Sequence, residues 1–201
     1  MRVIETERLK LRGWKFGDLD DLYHYGKNPR IGPAAGWQPY ANKAVALSVL
    51  HSLMSRGENW AIELRETERV IGSISLTTDL KRGEMNAKII GYNIAEEQWG
   101  NGYATEATKA VVRYGFEVMD VSVIAISHYP FNMRSKRVIE KCGFTYEGTL
   151  RHAFRRFDGE VLDLVCYSIL REEFYGQDRD DITDEERAKP HYERTPPPGQ
   201  S

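Results

Sequence analysis

Two stretches of the chain combine residue types at spacings that chemistry can use. The first runs Ile90-Gly-Tyr-Asn-Ile-Ala-Glu-Glu-Gln-Trp-Gly-Asn-Gly-Tyr-Ala-Thr105. In it, Gly100-Asn101-Gly102 stands where a strand-like pattern gives way to a helical one. Glycines let backbone N–H groups approach a ligand closely and adopt positive φ. The first turn of a helix adds unpaired N–H donors and a partial positive charge. Together they suit a phosphate or pyrophosphate. A plain glycine-rich turn is the competing reading of the same residues. A P-loop is excluded, because Tyr103-Ala104 stands where Lys-Ser/Thr must follow the second glycine. A dinucleotide fingerprint needs Gly or Ala where Thr105 sits, and it follows the first strand of a βαβ unit, so a nicotinamide oxidoreductase is excluded too.

The second stretch begins at His128-Tyr129-Pro130 and continues to Gly143-Phe144. Asn132 is placed to cap a helix, which puts Ser135 in its first turn. Arg134, Lys136, Arg137 and Lys141 make that helix basic. Taken alone, this is equally a solvated helix face behind a capping Asn. Cys142 falls at the helix C-terminus, where the dipole disfavours a thiolate, so core packing is expected of it. Cys142, Cys166 and the five His show no ligand spacing, and no metal is expected. Trp37 and Tyr40 lie in a Gly/Pro loop, where aromatics either wall an acceptor site or anchor the loop on the core.

The elements that must position these residues follow from periodicity. Alternation predicts strands over 6–14, 60–64, 70–77, 85–94 and 122–129, and a final hairpin of 144–157 and 161–170 around Asp158-Gly159. Helical spacing predicts helices over 18–27, 41–55, 102–119 and 133–142, the last closed by Gly143. Residues 28–40 read as a loop. Runs of strands with isolated crossover helices indicate an α/β (α+β) fold, a mixed sheet with helices on its faces. The 201 residues form one domain over 1–176, with a charged, Pro-rich tail over 177–201 too poor in apolar residues to order itself. The net charge of −2 argues against direct nucleic-acid binding. No apolar run approaches the roughly 20 residues of a membrane span, the N-terminus is no signal peptide, and two cysteines suit a reducing cytoplasm.

Together, the two stretches resemble the GNAT superfamily of acetyl-CoA-dependent N-acetyltransferases. Gly100-Asn101-Gly102-Tyr103-Ala104 resembles its pyrophosphate loop, and Asn132-x-x-Ser135 with Glu140-Lys141-Cys142-Gly143-Phe144 resembles its second cofactor motif. Trp99-Gly-x-Gly-Tyr-Ala-Thr-Glu-Ala107, Asn-x-x-Ser and Glu5-Thr6-Glu7-Arg8-Leu9-x-Leu11-Arg12 are similar to the RimJ/RimL branch, which includes ribosomal-protein N-terminal acetyltransferases. The likeness spans residue 1 to about Tyr175.

The resemblance implies a GNAT-like, mostly antiparallel twisted sheet of about seven strands with helices on both faces. It implies that strands 85–94 and 122–129 splay, with the pantetheine arm of acetyl-CoA in the gap. Backbone near Asn93 and Ile94 would bind the arm and thioester. Gln98, Trp99, Gly100, Asn101, Gly102, Tyr103, Ala104 and Thr105 would hold the pyrophosphate, Asn132 the arm, and Arg137 on the basic helix the nucleotide phosphates. Trp37 and Tyr40 would meet an amine acceptor. Many members place a Tyr seven residues after the Asn to protonate the leaving thiolate; here that position is Ile139, and Ser135 takes the place near sulfur. Some branch members carry a Glu base just before Ile-Gly-Tyr; here it is Ile89, which leaves Glu84 and His128 as candidates. Without a strong base, an α-amine or another low-pKa amine is the easier acceptor. A non-catalytic acyl-CoA-binding module is the alternative, and a homodimer is compatible with the branch.

Overall fold

The computed structural model describes residues 1–83 and 85–177; Glu84 and the expected tail beyond Gln177 lie outside the described residues. One sheet runs in the order β1 (Ile4–Glu5), β2 (Leu9–Arg12), β3 (Asn59–Leu64), β4 (Val70–Thr78), β5 (Ala87–Ile94), β6 (Val123–His128), β8 (Val161–Leu170) and β7 (Thr145–Arg155). All neighbours are antiparallel except β5 and β6. The expected class is found, with eight strands in place of about seven. The extra strand is β1, which precedes the expected first strand over 6–14: the Thr6 hydroxyl accepts from the Leu9 N–H at 3.0 Å in the turn that folds β1 back on β2.

Alternation along the strands sends side chains to two separate cores. Trp60 and Ile62 of β3 join Ile74, Leu76, Ile90, Ile124 and Ile126 on one face, covered by α4 (Tyr103–Glu117) and α5 (Met133–Lys141). Ala61 points the other way, into a core with Leu22 and Tyr25 of α1 (Leu19–Gly26) and Leu50 of α3 (Lys43–Arg56). Helices therefore lie on both faces. In α4, Val111, Val112 and Phe116 line the inward stripe, and Phe116 stacks on Phe174 at 4.9 Å. Phe174 belongs to α6 (Arg171–Gln177), a helix that periodicity did not predict, which carries the folded chain onto the first residue of the expected tail. The predicted loop over 28–40 likewise contains a single helical turn, α2 (Gly32–Ala35).

Local signals act as expected at α5. The Asn132 side-chain Oδ1 accepts from the Ser135 N–H at 3.2 Å, and Gly143 follows the helix at φ +79°. The least expected burial is Arg12, which donates to both oxygens of Asp18 at 2.8 Å and to Glu63 at 2.6 Å inside the protein. At the outer edge of the sheet, β7 shifts register against β8 twice, around Tyr146/Gly148 and Leu150/Phe154.

Candidate active site

The site is an interruption of the sheet. β5 pairs with β6 from Ala87/Val123 to Ile90/Ile126 and no further, although β5 continues to Ile94 and β6 to His128. Beyond that point the strands enclose a cleft of about 540 Å³, within the usual range for small-molecule sites. The Ala87 carbonyl accepts from the Asp79 N–H, and the Ala95 N–H donates to Ile71, which fixes the alternation of the β4–β5 ladder. Odd-numbered residues of β5 turn their backbone groups to β4; Tyr92 and Ile94 turn theirs into the cleft. The Ile94 carbonyl is occupied by the Trp99 indole N–H at 2.8 Å. The N–H groups of Tyr92 and Ile94 and the Tyr92 carbonyl face the gap with no strand opposite. The backbone of Asn93, expected to bind the arm beside Ile94, instead faces β4, and its side-chain amide donates to Ser73 at 2.6 Å.

Gly72, opposite Ile94, holds this edge in place. A Cβ there would lie 2.1 Å from the Asn93 carbonyl oxygen. Only glycine lets β4 and β5 approach so closely where β5 leaves β6.

One end of the cleft is the glycine loop. Gly100 and Gly102 adopt φ +85° and +82°, and Gly102 begins α4 with no side-chain cap, so the first N–H groups of the helix stay open to a ligand. Gln98, Trp99, Gly100, Gly102, Tyr103, Ala104, Thr105, Asn132 and Arg137 all line the cleft. Asn101 does not: its side chain turns back to the Gln98 carbonyl and its own carbonyl accepts from Arg8. Arg30, Arg134, Arg137 and Lys141 bring positive charge, and among the described residues no Asp or Glu lines the cleft. The Arg134 guanidinium lies 3.8 Å over the Trp99 ring, with Arg30 also over that ring at 5.3 Å. Sequence reasoning passed over both arginines as partners of Trp99. Open helix N–H donors, cations of which Arg30 is already paired with Glu96 outside the lining, and a free strand edge fit the pyrophosphate and amide-bearing arm of acetyl-CoA.

Ser135 lines the cleft from the first turn of α5, and its Oγ accepts from the Tyr92 hydroxyl at 3.1 Å. Burial pushes the Tyr92 phenol up to about 12 although the hydrogen bond to Ser135 pulls it down, so Tyr92 stays protonated near neutral pH. Tyr92 went unremarked in the sequence. Its only signal was the alternation Ile90, Tyr92, Ile94, which puts a hydroxyl among core residues. Ile139, where many relatives have Tyr, is wholly buried.

His128 also lines the cleft but is only 6% exposed. Its Nδ1 lies 2.8 Å from the Tyr129 carbonyl, which can only accept, so Nδ1 carries the proton; Nε2 lies 3.5 Å from the Tyr167 hydroxyl. Glu84 falls outside the described residues. Trp37 and Tyr40 do not wall the cleft. They stack on each other at 6.4 Å and pack on the second core, with the Tyr40 ring seated where Gly26 has no Cβ. Their loop instead contributes Ile31, Ala34 and Ala35 to the lining. Burial raises the Cys142 thiol to about 11, which favours the protonated form at neutral pH.

The cleft passes through the sheet. Ser75, Thr77, Ile89, Gly91 and Ser127, on the face opposite α4 and α5, line it together with residues of the α4/α5 face. Two molecules can thus meet at the gap from opposite faces.

Comparison with known proteins agrees with this geometry. Residues 8–145 match the acetyltransferase (GNAT) domain model. The chain is 32% identical to the uncharacterized N-acetyltransferase YoaA of Bacillus subtilis, over 84% of this chain and 97% of that protein. It is 26% identical to the ribosomal protein uS5-alanine N-acetyltransferase of Escherichia coli, over 83% of this chain and 89% of the relative. A GNAT-family acetyltransferase structure from Bacillus anthracis superposes with a TM-score of 0.78 at 25% identity, covering 86% of this chain and all of that one.

Proposed function

From the premise that the chain belongs to the GNAT family and is an N-acetyltransferase, we propose that it transfers acetyl from acetyl-CoA directly to a low-pKa primary amine, foremost a peptide or protein α-amino group. Acetyl-CoA supplies the activated acetyl thioester. The observation that carries the acceptor reading is the cleft lining: four cationic side chains and, among the described residues, no carboxylate. Among the described residues the lining thus offers no carboxylate to strip a proton from an ammonium group. An amine with pKa about 7.7–8.0 is roughly a tenth unprotonated at pH 7, whereas a lysine near 10.4 is so in fewer than about one molecule in a thousand. The uS5-alanine relative, named for a protein acceptor, is consistent with this choice.

In this reading the chain does three things. The N–H groups of Tyr92 and Ile94, without ladder partners, receive the arm and the carbonyl oxygen on which negative charge develops. The open turn at Gly102–Thr105 and the cations of α5 hold the phosphates, so donor and acceptor meet in line rather than by diffusion. Ser135 directs its hydroxyl proton at the departing sulfur. As the C–N bond forms and the C–S bond breaks, the neutral amine loses one proton and the departing sulfur gains one, so the products are the amide and the free CoA thiol, and Ser135 ends as the hydroxyl it began as.

The test is calorimetric titration with acetyl-CoA, with NAD as control, followed by thiol release with a panel of amines. Micromolar acetyl-CoA binding, no NAD binding and faster release with α-amino peptides than with lysine side chains are expected. Binding with no turnover for any amine would make the chain an acyl-CoA-binding module. No acetyl-CoA binding would overturn the reading.

A further inference from the structure

Arg8 lies outside the cleft lining, yet it holds the loop that forms one end of the cleft. Its Nη1 donates to the Asn101 carbonyl at 3.0 Å. Its Nε and Nη2 reach one oxygen of Glu106 at 2.7 and 2.6 Å. Its backbone N–H and the Thr6 hydroxyl donate to the other oxygen at 3.0 and 2.6 Å. The guanidinium also lies 4.7 Å over the Tyr103 ring. One side chain from the β1–β2 turn thus grips Asn101, Tyr103 and Glu106, on the loop and on the first turn of α4.

The grip has a direction. In a planar trans peptide the C=O and the following N–H point opposite ways. Arg8 draws the Asn101 carbonyl away from the cleft, which turns the Gly102 N–H toward it. Gly102 lines the cleft and Asn101 does not. The φ of +82° at Gly102 would leave this peptide free to flip if nothing held the carbonyl. With Glu106 balancing the charge of Arg8, the residue acts through this geometry.

Resting on the function proposed above, we infer that Arg8 is a positioning residue for the acetyl donor: it presents the Gly102 N–H to the pyrophosphate. Its effect is therefore confined to donors that carry a pyrophosphate. The variants are Arg8→Gln, which removes the fork, and Arg8→Lys, which keeps a charge but reaches Glu106 or the Asn101 carbonyl, not both. Each is titrated calorimetrically with acetyl-CoA and assayed with S-acetylpantetheine, a donor lacking the pyrophosphate. Arg8→Gln is expected to weaken acetyl-CoA about tenfold, the scale of one hydrogen bond to a charged group. Arg8→Lys should fall between it and the unmodified chain, and kcat/KM with S-acetylpantetheine should not follow the loss. Acetyl-CoA binding within twofold of the unmodified chain in both variants would overturn the inference, as would an equal loss with the truncated donor. Should Arg8→Gln fail to fold, Arg8→Lys carries the same two readouts. Absence of acetyl-CoA binding by the unmodified chain is a different failure, of the function itself.

Discussion

Replacing Ser135 with Ala tests the chemistry most directly. Tyr92 donates to Ser135 Oγ at 3.1 Å, and its phenol, pushed to about 12, keeps its proton. The Ser135 proton is therefore directed away from Tyr92. A hydrogen bond from it to a departing thiolate is a bond to a charged group, worth about 1.5–3 kcal/mol. At 1.36 kcal/mol per decade this predicts a fall in kcat of roughly 10- to 150-fold for Ser135→Ala. Acetyl-CoA affinity should move by less than about threefold, since the neutral ground state draws little on that bond. Tyr92→Phe removes only the neutral bond that orients the serine, about 0.5–1.5 kcal/mol, and should cost roughly 2- to 10-fold. Because Tyr92 acts through Ser135, the double variant should be no slower than Ser135→Ala, so the coupling energy equals the whole effect of Tyr92→Phe. The assay is initial-rate thiol release at saturating acetyl-CoA with a peptide amine, with separate calorimetry for affinity. Ser135→Ala within twofold of the unmodified kcat, or strict additivity in the double variant, would refute this account.

Further outcomes follow from the same geometry. With a peptide α-amine, kcat/KM should climb about tenfold per pH unit below pH 7 and level near pH 8, while a lysine acceptor keeps climbing past pH 9; a common plateau near pH 6–7 for both would point to a base in the protein. Gly102→Val, at φ +82°, forces a β-branched residue into the left-handed region and should weaken acetyl-CoA at least about tenfold by calorimetry. Asp18→Asn leaves the buried Arg12 with Glu63 as its one charged partner and should cost about 3 kcal/mol, or roughly 6–12 °C in thermal melts. Burial raises the Glu106 carboxyl, but the bonds from Thr6 and Arg8 outweigh it and hold the group below the ordinary carboxylate range. Its stabilisation is therefore full above the unfolded value near 4.3 and lost as pH falls through the lower folded value. The melting gap between Glu106→Gln and the unmodified chain should be widest near neutral pH and close in acid.

Local chemistry was legible where it acts over a few residues. Gly100 and Gly102, the cap at Asn132 and Gly143 each declare a backbone conformation through residue type, and each is found where expected. Interactions across the fold were not legible. Arg8 and Glu106 are separated by 98 positions, and nothing in either neighbourhood announces the other. The partnership of Tyr92 with Ser135 depends on which face of β5 meets α5, which only the docked helix decides. Trp37 and Tyr40 fit two outcomes from sequence, and packing against Gly26 and α1 chose the interior. Nothing next to Arg12 in the sequence announces its burial, because the carboxylates that enclose it come from a later turn and another strand.

The two register shifts in β7 bear on how molecules of this chain meet in concentrated solution. A sheet edge with a long straight run of free N–H and C=O groups is a template on which another chain can zip. Here that run is broken near Gly148 and again before Phe154, with His152 held at φ +51° between them. Arg151 and Arg155 add exposed charge along the same strand. A second molecule laid against this edge finds only short, misaligned segments to bond. The bends therefore act as a guard against edge-to-edge aggregation, leaving the outermost strand exposed without making it adhesive.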